Sequence, residues 1–331
     1  MLNVGIIGAG TFALEHAIAL NNNGNLNLIA ACRTSVLELE SFCGRFGIRG
    51  YSNYKSLLAD IDIDAVLIAT PHHLHAPIAI EAAKAGKHIL IEKPFASTMI
   101  EADEIIAAAD NANIKLMIGH NMQFVPASTR AKELLKSMEV GNVVMGQRVM
   151  SKLWMDDHRK DWHLSKQSSG GLLLTAGIHY IDLLTFLIDS KVKSVNANVS
   201  AKFHQQESDD CAMLMLEYEN GVVVNIMSLG YTNGVRKMEA ELYCSGGAIK
   251  INSSKGVHIG KHEEWQLVDD SASENWVQES LVAQWSEFGE AILKDRSPQV
   301  NGSYARHIME VIFAAFESSK SGKCIYILSD N

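Results

Sequence analysis

No apolar run in this chain approaches the roughly 18 residues that a membrane-spanning helix needs, so a transmembrane protein is not expected. Its opening stretch, MLNVGIIGAG, enters a strand-like pattern at once, without the charged n-region, apolar h-region and cleavage site of a signal peptide. Cysteine is sparse: Cys32, Cys43, Cys211, Cys244 and Cys324 are scattered, odd in number and never spaced as C-x-x-C. Neither a disulfide framework nor a zinc site is suggested, and the cytoplasm is the expected compartment. Positive charge is short as well, since 29 Lys and Arg stand against 38 Asp and Glu, a formal net charge of -9 without a long basic run. Nucleic acid and anionic membrane are therefore not expected as main partners, and a small molecule fits better. There are only five prolines, no internal repeat and no low-complexity linker. At 331 residues the chain exceeds what one hydrophobic core usually supports, so two domains are expected.

What is present has two rhythms. From residue 2 to about 120, the apolar runs NVGIIGAG, LNLIAAC, DAVLIATP, HILIEKP and IKLMIGH alternate with helical patterns at 12–22, 35–46, 76–86 and 97–112. This βαβ order predicts an α/β Rossmann domain with a doubly wound parallel sheet over 1–122. Beyond it the rhythm changes. Helical patterns at 126–138 and 172–188 precede strands of period two, and in KSVNANVSAKF the residues Val195, Ala197, Val199, Ala201 and Phe203 share one face. Asn220-Gly221 between two apolar runs signals a hairpin, and Gly246-Gly247 marks a second turn. Residues 123–331 are thus expected to form an α+β domain with an open, mainly antiparallel sheet, one face covered by terminal helices at 278–294 and 303–320. The other face, rich in methionine and poor in charge, is suited to self-association.

The stretch GIIGAGTFA places Gly8, Gly10 and Ala13 in a G-x-G-x-x-A pattern between the first strand and the first helix. The first glycine permits the tight turn, the second lets a pyrophosphate approach the backbone, and the small third residue lets helix and strand pack closely. Amides at the helix start, from Thr11 and Phe12 onward, then receive phosphate. At the end of the second strand stand Arg33, Thr34 and Ser35, where an NAD-preferring protein usually carries an acid. An arginine and two hydroxyls suit a 2′-phosphate, which favours NADP over NAD. Further on, HHLH invites a metal assignment, but His72, His73 and His75 lack carboxylate or cysteine companions at ligand spacing and follow a strand where such domains hold cofactor. Thr70, Pro71, His72 and His75 are accordingly cofactor-side candidates and no metal is expected. Glu92-Lys93-Pro94 ends the next strand, putting a lysine at the carboxyl edge of the sheet.

Together GIIGAGTFA, TPHHLHAPIAIEAAKAGKHILIEKP, GHNMQFVPA and GGLLLTAGIHYIDLL make the chain resemble the oxidoreductases of the glucose-fructose oxidoreductase, inositol dehydrogenase and rhizopine-catabolism group, over nearly its whole length. The resemblance implies hydride transfer between a nicotinamide and a secondary carbinol of a sugar, glycoside, sugar derivative or cyclitol. It also implies dimer or tetramer contacts through the C-terminal sheet. It places Glu92, Lys93 and Asn121 beside the cofactor, Lys93 and Gln123 beside the substrate, and His179 as the acid/base. Histidine titrates in the working range, and a lysine ammonium lowers the cost of a developing alkoxide.

Three departures stand out. Thr175 occupies the position, four before His179, where many members carry aspartate; His72 stands where asparagine is common; Gln123 replaces an arginine. Threonine can exchange one hydrogen bond with the histidine but cannot stabilise imidazolium by charge, so Thr175 is a modified third member of the catalytic group. Loss of the arginine suggests a less anionic substrate. The loop WMDDHRKDWHLSKQSS offers Trp154, Arg159, Trp162 and His163 for substrate recognition. Two alternatives remain open: redox-neutral, NAD-dependent glycoside cleavage, and a non-catalytic sensor of cofactor or sugar.

Overall fold

Strands one to six of the chain, β1 (Leu2–Ile7), β2 (Leu26–Cys32), β3 (Arg49–Tyr51), β4 (Ala65–Ile68), β5 (His88–Ile91) and β6 (Leu116–Ile118), form one parallel sheet. Their order is β3-β2-β1-β4-β5-β6, the doubly wound arrangement that reverses between β1 and β4. Every residue of β4 is fully buried, as expected for a strand covered on both faces. The connecting helices are α1 (Thr11–Asn21), α2 (Val36–Phe46), α3 (Tyr54–Leu58), α4 (His75–Lys84) and α5 (Met99–Asn111). Thr98 starts α5 by accepting from the Glu101 amide, a side-chain cap. Gly47 ends α2 in the left-handed conformation that glycine adopts at least cost. The short β3 and α3 are elements that hydrophobic periodicity did not reveal.

This computed structural model describes residues 1–154, 163–165, 170–268 and 271–327. The chain divides into two compact units, Met1–Asn121 with Val277–Arg306, and Met122–Trp276 with His307–Asn331.

The second unit opens with α6 (Pro126–Lys136), β7 (Val143–Leu153) and α7 (Ile178–Ile188). Then follow β8 (Val192–Ser200), β9 (Cys211–Tyr218), β10 (Val223–Tyr231), β11 (Lys237–Cys244), β12 (Gly247–Asn252), β13 (Gly256–Lys261), β14 (Glu264–Leu267) and, at the chain end, β15 (Ile325–Tyr326). These strands make a mixed, mainly antiparallel sheet ordered β14-β13-β12-β11-β7-β10-β9-β8-β15, in which β7 and β10 pair in parallel and the other described neighbours antiparallel. Period two is plain in β9 and β10: Leu214, Leu216, Val224 and Ile226 are buried, whereas Met213 and Met215 on the opposite face are 54% and 48% exposed. The expected parity of β8 fails at its start, because a register shift between Val192 and Ser194 buries Ser194 and Val195 together. Ala201 and Phe203 lie past the end of the strand.

The terminal helices, α8 (Trp276–Leu293) and α9 (Gly302–Ser321), were both expected on the antiparallel sheet. Instead α8 packs in the first unit, where Gly289 lies against Leu26 and the Asn23 side chain donates to Ser286 Oγ at 3.0 Å. The buried stripe of α8 includes Trp285 and Phe288, and an amphipathic pattern carries no label for the sheet it will cover. From His307 on, α9 belongs to the second unit: His307 Nε2 accepts from the Val192 amide, and Ser318 and Ser319 accept from the Ala197 and Val199 amides of β8. Among the described residues no helix is long and apolar enough to cross a membrane.

Candidate active site

In the first unit the Gly-rich turn closes directly on the end of β4. Gly8 has φ +97°, and a Cβ there would lie 2.5 Å from the Ala69 carbonyl oxygen, so only glycine fits. The Gly10 amide turns back to the Gly8 carbonyl at 2.7 Å, and Gly10 caps α1 without a side-chain bond. Ala13 is buried against the sheet, while Thr11 and Phe12 are exposed. Uncapped helix amides beside a switch point of strand order suit an anion, and a pyrophosphate in particular. The buried Thr70 hydroxyl, at the end of β4, has no hydrogen-bond partner among the described residues, which leaves a polar position for a bound group.

Arg33 is less available than its position suggests. Its Nη1 donates to the Ala9 carbonyl at 2.5 Å, and its Nη2 pairs with Glu38 in the first turn of α2 at 2.7 Å. Thr34 is exposed and Ser35 is the N-cap residue of α2, half-buried, without a side-chain cap bond. An acid therefore does stand at the end of β2, but three residues into the helix.

The histidines after β4 divide. Pro71 is exposed; His72 is buried, its ring 5.7 Å from that of His75. His75 has no exposed surface, and both of its ring nitrogens lie against carbonyl oxygens, Nδ1 at 3.0 Å from Pro94 and Nε2 at 2.8 Å from Thr70. Its ring is packed between the end of β4 and the loop after β5, and in the neutral form it donates to one of these two carbonyls. Burial holds its pKa below the usual imidazole value.

Lys93 follows β5 at a cis peptide bond to Pro94. Burial pushes its ammonium below the ordinary lysine pKa, and the neighbouring Glu92 carboxylate opposes that shift. Glu92 Oε2 accepts from the Lys93 amide at 3.3 Å, and Oε1 meets His16 Nε2 at 3.0 Å. His120, after β6, is held down to about 3 by burial and by the Lys93 charge, so it is a neutral ring at ordinary pH. The Asn121 amide donates to Ser280 Oγ of α8 at 3.1 Å and is buried.

In the second unit, α7 is preceded by a π-helical turn over Leu173–Gly177. Such turns recur at functional sites because they re-aim side chains. Thr175 lies in it and gives its hydroxyl proton to the Gly171 carbonyl at 2.5 Å, so toward any other group the hydroxyl can only accept. His179, one turn on, is half-buried, and it and Phe186 are the two α7 residues that keep appreciable exposed surface. On the opposite sides of the helix, Tyr180 lies over the Arg148 guanidinium at 4.3 Å and the fully buried Asp182 accepts from Gln123 Nε2 at 2.6 Å. Burial pushes Arg148 down to about 10, against the opposing influence of Tyr180 and Asp182. These contacts fix the rotation of α7 and thus the direction of His179. Gln123, expected on the substrate, is 2% exposed and engaged with Asp182, the physical reason being an otherwise unsatisfied buried carboxylate.

Ahead of α7, His163 is held through its backbone and its ring. The His163 carbonyl accepts from the Gly171 amide at 2.9 Å and from Ser208 Oγ at 3.0 Å, and its ring meets the buried Trp154 edge-on at 6.4 Å. Arg159 and Trp162 lie outside the described residues. Sequence reasoning missed His16, Trp285, Glu38, Arg148 and Asp209. For Arg148 a signal exists, a charged residue on the inward parity of a strand between Gly146 and Met150.

Comparison with known proteins now bears on this geometry. The NAD-binding Rossmann fold of an oxidoreductase family matches residues 2–120, and the GFO/IDH/MocA C-terminal domain matches residues 128–250. A 1-carboxy-3-chloro-3,4-dihydroxycyclohexa-1,5-diene dehydrogenase of Comamonas testosteroni is 27% identical over 70% of this chain and 59% of its own length. A glucose-6-phosphate 3-dehydrogenase of Bacillus subtilis is 30% identical over 69% of this chain and 67% of its own. The chain thus matches well under the full length of these relatives. A solved structure of levoglucosan dehydrogenase in complex with NADH and levoglucosan superposes with a TM-score of 0.90 over 99% of this chain and 100% of the other, at 24% identity, which shows a shared fold.

Proposed function

The chain belongs to the GFO/IDH/MocA oxidoreductase family, and we propose that it is an NAD(P)-dependent dehydrogenase of a secondary carbinol in a sugar, glycoside, sugar derivative or cyclitol. The observation that carries this is Lys93, a lysine with a lowered pKa beside a buried carboxylate at the carboxyl edge of a Rossmann sheet. Relatives named for glucose 6-phosphate and for levoglucosan support the substrate class. The nicotinamide supplies the hydride acceptor or donor. In the proposed division of labour, residues 1–122 bind cofactor through Gly8, Gly10, Thr11, Phe12, Ala13, Thr34, Ser35, Thr70, Pro71, His72 and Asn121, with His75 and Glu92 holding the loops after β4 and β5. Residues 123–331, apart from the 277–306 segment that packs with the first unit, bind substrate and associate with a second copy through the open, Met-rich face of the antiparallel sheet, in the cytoplasm.

Within that scheme Lys93 lowers the cost of the developing alkoxide, His179 takes the hydroxyl proton, and Thr175 accepts a hydrogen bond from the ring or from a substrate hydroxyl. His163, with Arg159 and Trp162, borders the sugar, and Gln123 acts on the substrate through Asp182 and α7. Arg33 reads the ribose 2′ position in favour of NADP, moderated by its pairing with Glu38. A panel of polyols, sugars and glycosides offered with NAD+ and NADP+ tests the proposal. Reduced cofactor should accumulate, which redox-neutral glycoside cleavage would not produce, and Lys93→Ala or His179→Ala should lower the rate roughly a hundredfold or more. A parent that binds cofactor but turns over nothing, with variants that behave alike, would overturn it in favour of a sensor.

A further inference from the structure

Glu92 is held from behind by a chain of side chains that the proposed chemistry does not use. His16 of α1 and Trp285 of α8 are both completely buried, and Trp285 Nε1 donates to His16 Nδ1 at 3.1 Å. An indole nitrogen is a donor only, so Nδ1 must offer its lone pair and the ring proton sits on Nε2. That nitrogen lies 3.0 Å from Glu92 Oε1, and its proton therefore points at the carboxylate. Phe12 and Trp285 both pack edge-on against the His16 ring, at 5.2 Å and 5.8 Å. On the far side, a Cβ at Gly119 would lie 2.5 Å from Glu92 Oε1, so the carboxylate is walled in. Its second oxygen is left to the Lys93 amide at 3.3 Å.

We propose that His16 and Trp285 are positioning residues for Lys93: Trp285 fixes the His16 tautomer, His16 orients the Glu92 carboxylate by donating to Oε1, and the oriented carboxylate sustains the charge on the Lys93 ammonium. The catalytic meaning of this coupling rests on the assignment of Lys93 as the group beside the reacting hydroxyl, but the coupling itself needs no substrate. Other titratable groups face the pair. His120 beyond β6 feels Lys93 and His75 of α4 feels Glu92, and both rings are driven toward the neutral form by burial. They add no competing charge. Glu92, next to Lys93 in the chain and bonded through Oε2 to the Lys93 amide at 3.3 Å, is held close enough for its charge to oppose the desolvation of the ammonium.

The test reads Lys93 directly, by trace acetylation of the whole protein with acetic anhydride across the alkaline range and mass spectrometry of the peptide that contains Lys93. Glu92→Gln should lower the midpoint of Lys93 reactivity by at least about one pH unit, close to a tenfold change in free amine at a fixed pH. His16→Phe should shift it in the same direction, and Trp285→Phe by less, since it only frees the ring to move its proton to Nδ1. His16→Gln keeps an N–H for Oε1 and should return the midpoint toward that of the parent. Folding of each variant is checked by circular dichroism; should His16→Phe not fold, Glu92→Gln with Trp285→Phe carries the comparison. An unmoved midpoint in Glu92→Gln, or equal shifts in His16→Phe and His16→Gln, would overturn the proposal. If the midpoints move as stated but the substrate panel gives no Lys93-dependent turnover, the coupling stands and the dehydrogenase assignment fails.

Discussion

Asp209→Asn should change how stability depends on pH. Asp209 stands just before β9, only 7% exposed, and it serves the start of the helix that carries Thr175 and His179. Its carbonyl accepts from the Leu172 amide at 2.9 Å and its Oδ2 from the Leu173 amide at 2.7 Å, so it satisfies two donors that a helix start leaves open. Gly171, with φ +107°, makes room for it: a Cβ there would lie 2.2 Å from Oδ1. Burial pushes the carboxyl up from 3.8 to about 6, aided by the adjacent Asp210 and opposed by the amide bonds. A raised carboxyl pKa means that the folded state holds the proton more tightly than the unfolded one. Its contribution to stability is therefore full below the unfolded value and is lost as pH rises through about 6. With about 1.4 kcal/mol per pKa unit, the ceiling is about 3 kcal/mol. Asparagine accepts from Leu173 equally well but has no charge to bury. Urea unfolding of parent and variant, followed by tryptophan fluorescence at a series of pH values, should show the variant gaining on the parent by up to that amount between about pH 4 and pH 7. Parallel curves across this range would refute the reasoning.

The turn and the buried polar pair give further outcomes. Gly8→Ala puts a methyl group on the Ala69 carbonyl in a conformation that costs an L-residue about 1–2 kcal/mol, and NADH fluorescence should show cofactor binding lost; binding within twofold of the parent would contradict it. Gln123→Leu removes the donor at 2.6 Å from the buried Asp182 carboxylate and should cost about 1–3 kcal/mol in urea unfolding, whereas an unchanged midpoint would place the role of Gln123 elsewhere. Glu38→Gln breaks the exposed pair with Arg33 and should raise the kcat/KM ratio of NADP+ to NAD+, by roughly fivefold at most for a surface ion pair; a falling ratio would show that Glu38 does not compete for Arg33.

How much of this was legible in the sequence follows from the range of the interactions. The Gly8-Gly10-Ala13 turn and the β4 and β5 ends could be placed because their chemistry is local, set by a few adjacent residues in a βαβ unit. Partners distant in sequence could not. Trp285 meets His16 across 269 positions, and an apolar stripe on α8 does not say which sheet it will cover. Asp209 caps a helix start 36 residues earlier in the chain, which no local capping pattern signals. The hydroxyl of Thr175 was visible as a missing carboxylate, but its donation to the Gly171 carbonyl, four residues back, needed the backbone geometry of the turn between them. Glu38 escaped notice because the acid that meets Arg33 comes from α2 and not from the strand end itself. In β8 the register shift defeats simple alternation, so parity alone misplaced Ala201 and Phe203.

Transfer of hydride from a carbinol carbon is the central claim, and isotopic labelling reads it most directly. The sugar or polyol that gives turnover is prepared with deuterium on the oxidised carbon and incubated with the parent enzyme and oxidised cofactor. The account predicts deuterium at C4 of the reduced nicotinamide, recovered in equal amount with the ketone and with transfer suppressed in Lys93→Ala and His179→Ala. Consumption of substrate with the label released to water, or with no label in the nicotinamide, would contradict it.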